Sequence, residues 1–434
     1  MLLTMSRTML SRRTLLAMSG GLAATAGLSA CGGNTGRAPA DGSSTAGGSA
    51  AKATLSQWYH EYGETGVQDA VKRYAAAYDQ ASVSVKWNPG EYEKLVGAAL
   101  LTSTVPDVFE YGNGPTLDMI KAGQVLDLTD TLGDAKDSFN TAVVTPRMWE
   151  DKIWAIPQTV DMQMLYYRKS VLEKAGVQPP TTFDALADAA KAVTTKDMGG
   201  FFAGNDSGLG VLGQMFIWSA GFEQISEDNK GIGFDDPAFY PGLTAYKAMR
   251  DSKALLQSAS ADWFDAAPFI NGETAMQWTG LWVLPQVTEA LGDDFGVVPF
   301  PAIGSAGKPG VPAGAYGACV AAKGENPDAA KAFIKWLWVD QEDYQVDFST
   351  SFGTHIPAKP ALAARSDKLA SGPGADAAKM VADGGHVPDL LWAPSIQESY
   401  NSALSNVILK GADPKAEVGK VAAKAKAEIA RLTA

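Results

Sequence analysis

Two runs of acids and aromatics concentrate the chemistry of this chain: Tyr59-His60-Glu61-Tyr62-Gly63-Glu64 and Glu110-Tyr111-Gly112-Asn113. Asp161 and the turn Gly314-Ala315-Tyr316-Gly317 add groups of the same kinds. Carboxylates and amides hydrogen-bond hydroxyls while flat rings cover apolar faces, so the mixture suits a ligand with an apolar face and a hydroxyl rim. It equally suits a cation, which clustered acids and ring faces both attract. Two carboxyls drawn from Glu61, Glu64, Glu110 and Asp161 could also flank a glycosidic bond, as its hydrolysis requires. The runs contain no Arg, which argues against a phosphorylated ligand. No nucleophile elbow, phosphate loop or metal-ligand spacing occurs, so neither metal nor cofactor is expected.

Composition narrows the classes further. At 434 residues the chain is long enough for two lobes of ordinary size. Its 36 Lys+Arg against 48 Asp+Glu leave a formal charge of −12, which disfavours nucleic acid and anionic bilayers as partners. Two cysteines, Cys31 and Cys319, give no disulfide framework, and three histidines make a His-rich metal site unexpected. Cys319 lies in the apolar run Gly317–Ala322 and reads as a small buried hydrophobe.

The first 30 residues read as an export leader. Arg12-Arg13 before Thr14-Leu15-Leu16 resembles the twin-arginine signal. Leu15–Leu28 is apolar over 14 residues, short of the roughly 20 that span a bilayer. Leu28-Ser29-Ala30-Cys31 resembles the lipobox of bacterial lipoproteins, in which the cysteine thiol is diacylated. Residues 31–53 are rich in Gly, Ser, Ala and Thr and lack aromatics, the composition of a flexible tether. The leader and lipobox together imply a body anchored by lipid at the outer face of the cell membrane.

The elements behind the leader alternate. Strands are predicted at 54–59, 83–87 and 106–109, with helices at 67–78, 92–101 and 117–122 between and after them. Thr182 is a helix cap, Asn326-Pro327 opens a helix through about 339, and 416–432 carries one apolar helical face. Such alternation predicts an α/β fold with mainly parallel sheets flanked by helices, and ligand chemistry at the carboxyl ends of strands.

Four ordered motifs resemble one family. Asp151-Lys152-Ile153-Trp154-Ala155-Ile156-Pro157 with Leu165-Tyr166-Tyr167-Arg168-Lys169 resembles its "DGK-hydrophobic-P … YN-K" signature, without the Gly and with Tyr-Arg for Tyr-Asn. Lys174-Ala175-Gly176 with Pro179–Phe183 resembles "KAG … PPxTW", with Phe for Trp. Phe269–Met276 followed by Gly280-Leu281-Trp282 resembles "F-x-x-G-x-A-M … G-x-W", and Lys323 to Trp336 the late "K-N-P … F-x-x-W". The set spans most of residues 54–434 and is similar to bacterial extracellular solute-binding proteins of family 1, the maltose-binding-protein class.

That resemblance implies a two-lobed periplasmic-binding-protein fold with hinge crossings. One lobe would hold 54–159 plus 311–340, the other 160–310 plus 341–434. It implies a monomer that is not an enzyme and that closes on a sugar or short oligosaccharide for the permeases of an ABC importer. Trp282 matches the stacking tryptophan, and Asp161 lies at the first crossing, where the family often places a ligand-binding carboxylate. His60, Glu61, Tyr111, Asn113, Gly314 and Tyr316 fall in ligand loops, with Trp218, Tyr92, Trp392 and His355 as further contacts. For each, a packing ring or a solvated loop is the alternative. The same fold with a cationic or amino-sugar ligand stays open.

Overall fold

The computed structural model describes residues 52–314 and 316–434. The leader, Cys31 and the tether up to residue 51 lie outside the described residues. Fourteen strands follow in chain order: β1 (Ala53–His60), β2 (Ala81–Asn88), β3 (Val108–Gly112), β4 (Met148–Trp149), β5 (Lys152–Ile153), β6 (Ile156–Pro157) and β7 (Thr159–Arg168), then β8 (Gly199–Phe202), β9 (Thr274–Gly280), β10 (Phe295–Val298), β11 (Val311–Gly314), β12 (Tyr316–Val320), β13 (Ile356–Pro357) and β14 (Gly385–His386).

Two sheets make two lobes. In the first, β1 alternates, burying Leu55, Gln57 and Tyr59 on one face. It runs parallel to β2 in full register from Ala53↔Ala81 to His60↔Asn88, and parallel to β3 on its other side. Strand β12 then closes the sheet antiparallel to β3 and β6. The second sheet is organised on β7, ten residues long, to which β9, β10, β11 and β13 all run antiparallel. The sheets are therefore mixed rather than mainly parallel. The chain leaves the first sheet through β6–β7 and re-enters it through β11–β12, so strands on the two passages oppose each other.

Local signals place several elements within a residue or two. The Thr182 hydroxyl accepts from the Ala185 N–H at 3.2 Å and starts the helix Phe183–Val193, which buries Phe183, Leu186, Ala190 and Val193. The last helix starts at Pro414, two residues earlier than its apolar face suggests, because Asp413 caps it through the Ala416 N–H. Helix Pro327–Lys335 passes into a π-helical turn, Trp336–Asp340. Phe333, Ile334, Leu337 and Trp338 are fully buried there; each such side chain contributes about 1.5–3 kcal/mol by leaving water.

Three boundaries differ from expectation. β1 begins at Ala53, inside the expected tether, because that residue already pairs with Ala81. Residues 311–314 belong to the second sheet as β11, so the return crossing falls at 314–316. Helix Glu342–Thr350 stays with the first lobe: Asp347 accepts from Tyr74 at 2.5 Å and Arg73 at 2.7 Å, and Tyr344 stacks on Tyr74. The third crossing is thus the segment that leads into β13. No helix among the described residues is long and apolar enough to cross a membrane.

Candidate ligand site

The carboxyl ends of β1 and β3, with the start of β12, face β7 and the segment after β9 across a groove. Three adjoining cavities of roughly 340, 380 and 270 Å³ line it. Asp161, Trp282 and Tyr316 are common to the first two; Gly112, Asn113, Gln214 and Pro388 are common to the second and third.

On the first-lobe side one buried carboxylate sets the wall. Glu110, 1% exposed, accepts from the His60 backbone N–H at 2.8 Å, from His60 Nδ1 at 2.5 Å and from the Tyr62 hydroxyl at 2.8 Å. The His60 ring then stacks on Tyr316, centroids 4.1 Å apart and 19° between planes. The expected third strand begins two residues later and runs to Gly112, so Glu110 and Tyr111 lie within the strand rather than in a loop. Strand β12 pairs along that whole stretch, which draws Glu110 inward.

Opposite stands Trp282, half-buried, its Nε1 donating to the Phe264 carbonyl at 3.0 Å and its ring edge-on to Trp263 at 5.8 Å. A Cβ on Gly280 would stand 2.0 Å from the Trp282 ring, so the glycine two residues earlier is what lets the ring lie flat over the strand. Gly314 makes a similar close approach, since a Cβ there would meet Asn113 Oδ1 at 2.4 Å.

His355 joins the two sides. Its Nδ1 is hydrogen-bonded with Asp161 Oδ1 and its Nε2 with Glu64 Oε1 at 2.8 Å. Burial alone would lower its pKa, but the charges and hydrogen bonds of Asp161 and Glu64 raise it to about 10. Burial pushes Glu64 upward, and the bond and charge of His355 outweigh it, holding Glu64 below its usual range. No lysine or arginine lines the three cavities among the described residues, and no group of metal-binding side chains occurs among them.

The structure thus gathers His60, Asp161, Asn113, Gly314, Tyr316, Trp282 and His355 on the groove, with Tyr111 and Trp392 on its third cavity. Trp392 is pinned by a 2.7 Å bond to Gln397 Oε1. Three expectations fall away from the groove. Trp218 is 2% exposed and stacked on His386, because helix Leu209–Trp218 is apolar nearly all round and must be buried. Glu61 is exposed and lines only a side recess at the start of helix Tyr92–Ala99. Tyr92 is 4% exposed and spends its hydroxyl on the Trp58 carbonyl, 2.9 Å away.

Sequence reasoning named Glu64 as a candidate carboxyl and Tyr62 only as a member of its run, and it missed Trp263, Asp265 and Gln163 as groove residues. Tyr62 and Glu64 stand in the first acid–aromatic run and were within its reach. Trp263 and Asp265 lie in an irregular loop whose only cue is an isolated aromatic pair, Trp263-Phe264.

The model of the bacterial extracellular solute-binding proteins matches residues 63–340. Over 350 residues the chain is 25% identical to a protein of Brucella abortus (strain 2308) whose name describes a binding protein, covering 75% of this chain and 80% of that one. Over 168 residues it is 26% identical to the melibiose/raffinose/stachyose-binding protein of Bacillus subtilis (strain 168), 36% of this chain and 38% of that one. Maltose-bound MalE3 of T. maritima shares the fold with a TM-score of 0.73 at 20% identity, covering 86% of this chain and 99% of that one.

Proposed function

The chain belongs to the bacterial extracellular solute-binding proteins, and from that premise we propose that it captures a sugar or short oligosaccharide between its lobes. The observation that carries this reading is the groove itself: ring faces of Trp282, Tyr316 and Tyr62 beside Asp161, Gln163 and Asn113, with no lysine or arginine among the described residues that line it. Rings cover the C–H faces of a pyranose, and carboxylates and amides take its hydroxyls. The name of the Bacillus subtilis relative and the maltose in the T. maritima structure support the same ligand class.

Capture works by closure. Each lobe presents part of the contacts, so ligand favours the state in which both reach it. The three crossings, at 157–159, 314–316 and between 350 and β13, take up the rotation, the first lobe ending near 157 on the first passage and near 350 on the third. The closed form docks on the permeases of an ABC importer, and no chemical step is needed. The protein works as a monomer outside the cytoplasm, freed of residues 1–30 and held to the membrane by lipid on Cys31.

A thermal-shift screen of the full chain against mono-, di- and trisaccharides tests the capture. A ligand that binds only the folded state at a hundredfold excess over its Kd adds about 2.7 kcal/mol of stability. A melting rise confined to one saccharide group, lost in Trp282→Ala, is the expected result; silence across the whole panel would refute it. For the anchor, Cys31→Ala should move the protein from the membrane fraction to the soluble one.

A further inference from the structure

The three groups joined at His355 come from three separate segments: the loop after β1, strand β7, and the approach to β13. The His355 side chain is 8% exposed, that of Glu64 13% and that of Asp161 27%. Glu64 is held in its ionised form, so the Nε2 contact takes its proton from the ring, and a ring that also donates to Asp161 through Nδ1 is an imidazolium. Asp161 is the member most open to the groove and lines two of its cavities, while Oδ1 is taken by His355.

Without the imidazolium, three carboxylates, Glu64, Asp161 and Asp265, would share one cavity with no lysine or arginine among its described lining residues to balance them. Such a site draws ammonium groups, as unpaired acids beside ring faces do. We propose that His355 determines specificity in this groove, cancelling enough carboxylate charge that Asp161 can bond a sugar hydroxyl without selecting cations. The proposal rests on the saccharide reading above. The upward shift of His355 to about 10 agrees with a charged ring throughout the neutral range. His60, Tyr62, Tyr316 and Asp265 face the same cavity, and Lys368 bonds the Thr350 and Gly353 carbonyls in the loop that leads to His355.

The trio carries one net negative charge, two in His355→Gln and none in Glu64→Gln. Calorimetric affinities at pH 7 for two pairs, glucose with glucosamine and galactose with galactosamine, read the consequence in the full chain. The amino-to-neutral affinity ratio should rise about tenfold in His355→Gln and fall in Glu64→Gln, since a charge a few ångströms from the ligand changes by one unit. A purely structural role would weaken both members of a pair alike; an unchanged ratio in both variants overturns the proposal. Nitrogen NMR of the wild-type imidazole, without ligand, should find both ring nitrogens protonated at pH 8. A neutral ring there overturns the proposal and leaves sugar capture standing. If no variant binds either pair or any sugar of the screen while the ring stays charged, sugar capture fails and the selectivity claim with it.

Discussion

Arg431 holds Asp118 through both terminal nitrogens, Nη1 and Nη2, each at 2.8 Å, although the two residues are 313 apart in the chain. Asp118 lies on the first-lobe helix Leu117–Lys121, and Arg431 is near the end of the C-terminal helix. Lys121 adds a 2.7 Å bond to the Leu432 carbonyl beside it. Asp118 and Leu432 both line the third cavity, so the pair bridges one end of the groove.

Both side chains of that pair are half exposed, so its contribution to stability is small and screened by salt. Its effect should appear in release instead. Arg431→Gln is expected to speed ligand dissociation by roughly two- to tenfold with little change in the association rate. Stopped-flow fluorescence measures both; an unchanged dissociation rate would show that the bridge is not broken on opening.

Trp282 and Gly280 should behave as one unit. Trp282→Ala removes the stacking face and is expected to weaken saccharide binding by about ten- to a hundredfold. Gly280→Ala leaves the tryptophan in place but forces it off the strand, since the new Cβ would stand 2.0 Å from the ring. Calorimetry should find a comparable loss. Full affinity in Gly280→Ala would mean that the ring does not touch ligand.

Glu110→Gln separates positioning from contact, because Glu110 is buried beneath the wall it organises. Its three donors, the His60 N–H, the His60 ring and the Tyr62 hydroxyl, cannot all be satisfied by an amide that accepts through one oxygen. A cost of about 1–3 kcal/mol in folding stability is expected, with a fall in affinity. Denaturant titration checks the first and calorimetry the second.

Stability should also depend on pH through His355. Its folded pKa is raised from 6.5 to about 10, so the trio's stabilisation is fully present below 6.5 and is lost as pH rises through 10. Glu64, lowered from 4.5, adds the opposite edge: its share is present above that value and is lost as the solution turns acid. Urea unfolding at pH 6, 8 and 10 should give a falling series of a few kcal/mol in the wild type and a flatter one in His355→Gln. An equal slope in both would assign the alkaline loss to other groups.

The sequence by itself determined the local elements, the family motifs and the two acid–aromatic runs from which much of the groove wall is built. Thr182 announces its helix because a hydroxyl and an N–H three residues on meet within one turn. Gly280-Leu281-Trp282 is legible for the same reason: the glycine makes room for a ring two positions away. The tertiary structure alone decided strand direction on β7, the burial of Trp218 and the meeting of His355 with Glu64 and Asp161, which are 291 and 194 residues away. Period and spacing report contacts within a turn or a pleat. Partners that the hinge brings together from separate segments leave no such trace, so the charge balance of the groove became visible only when the chain was folded.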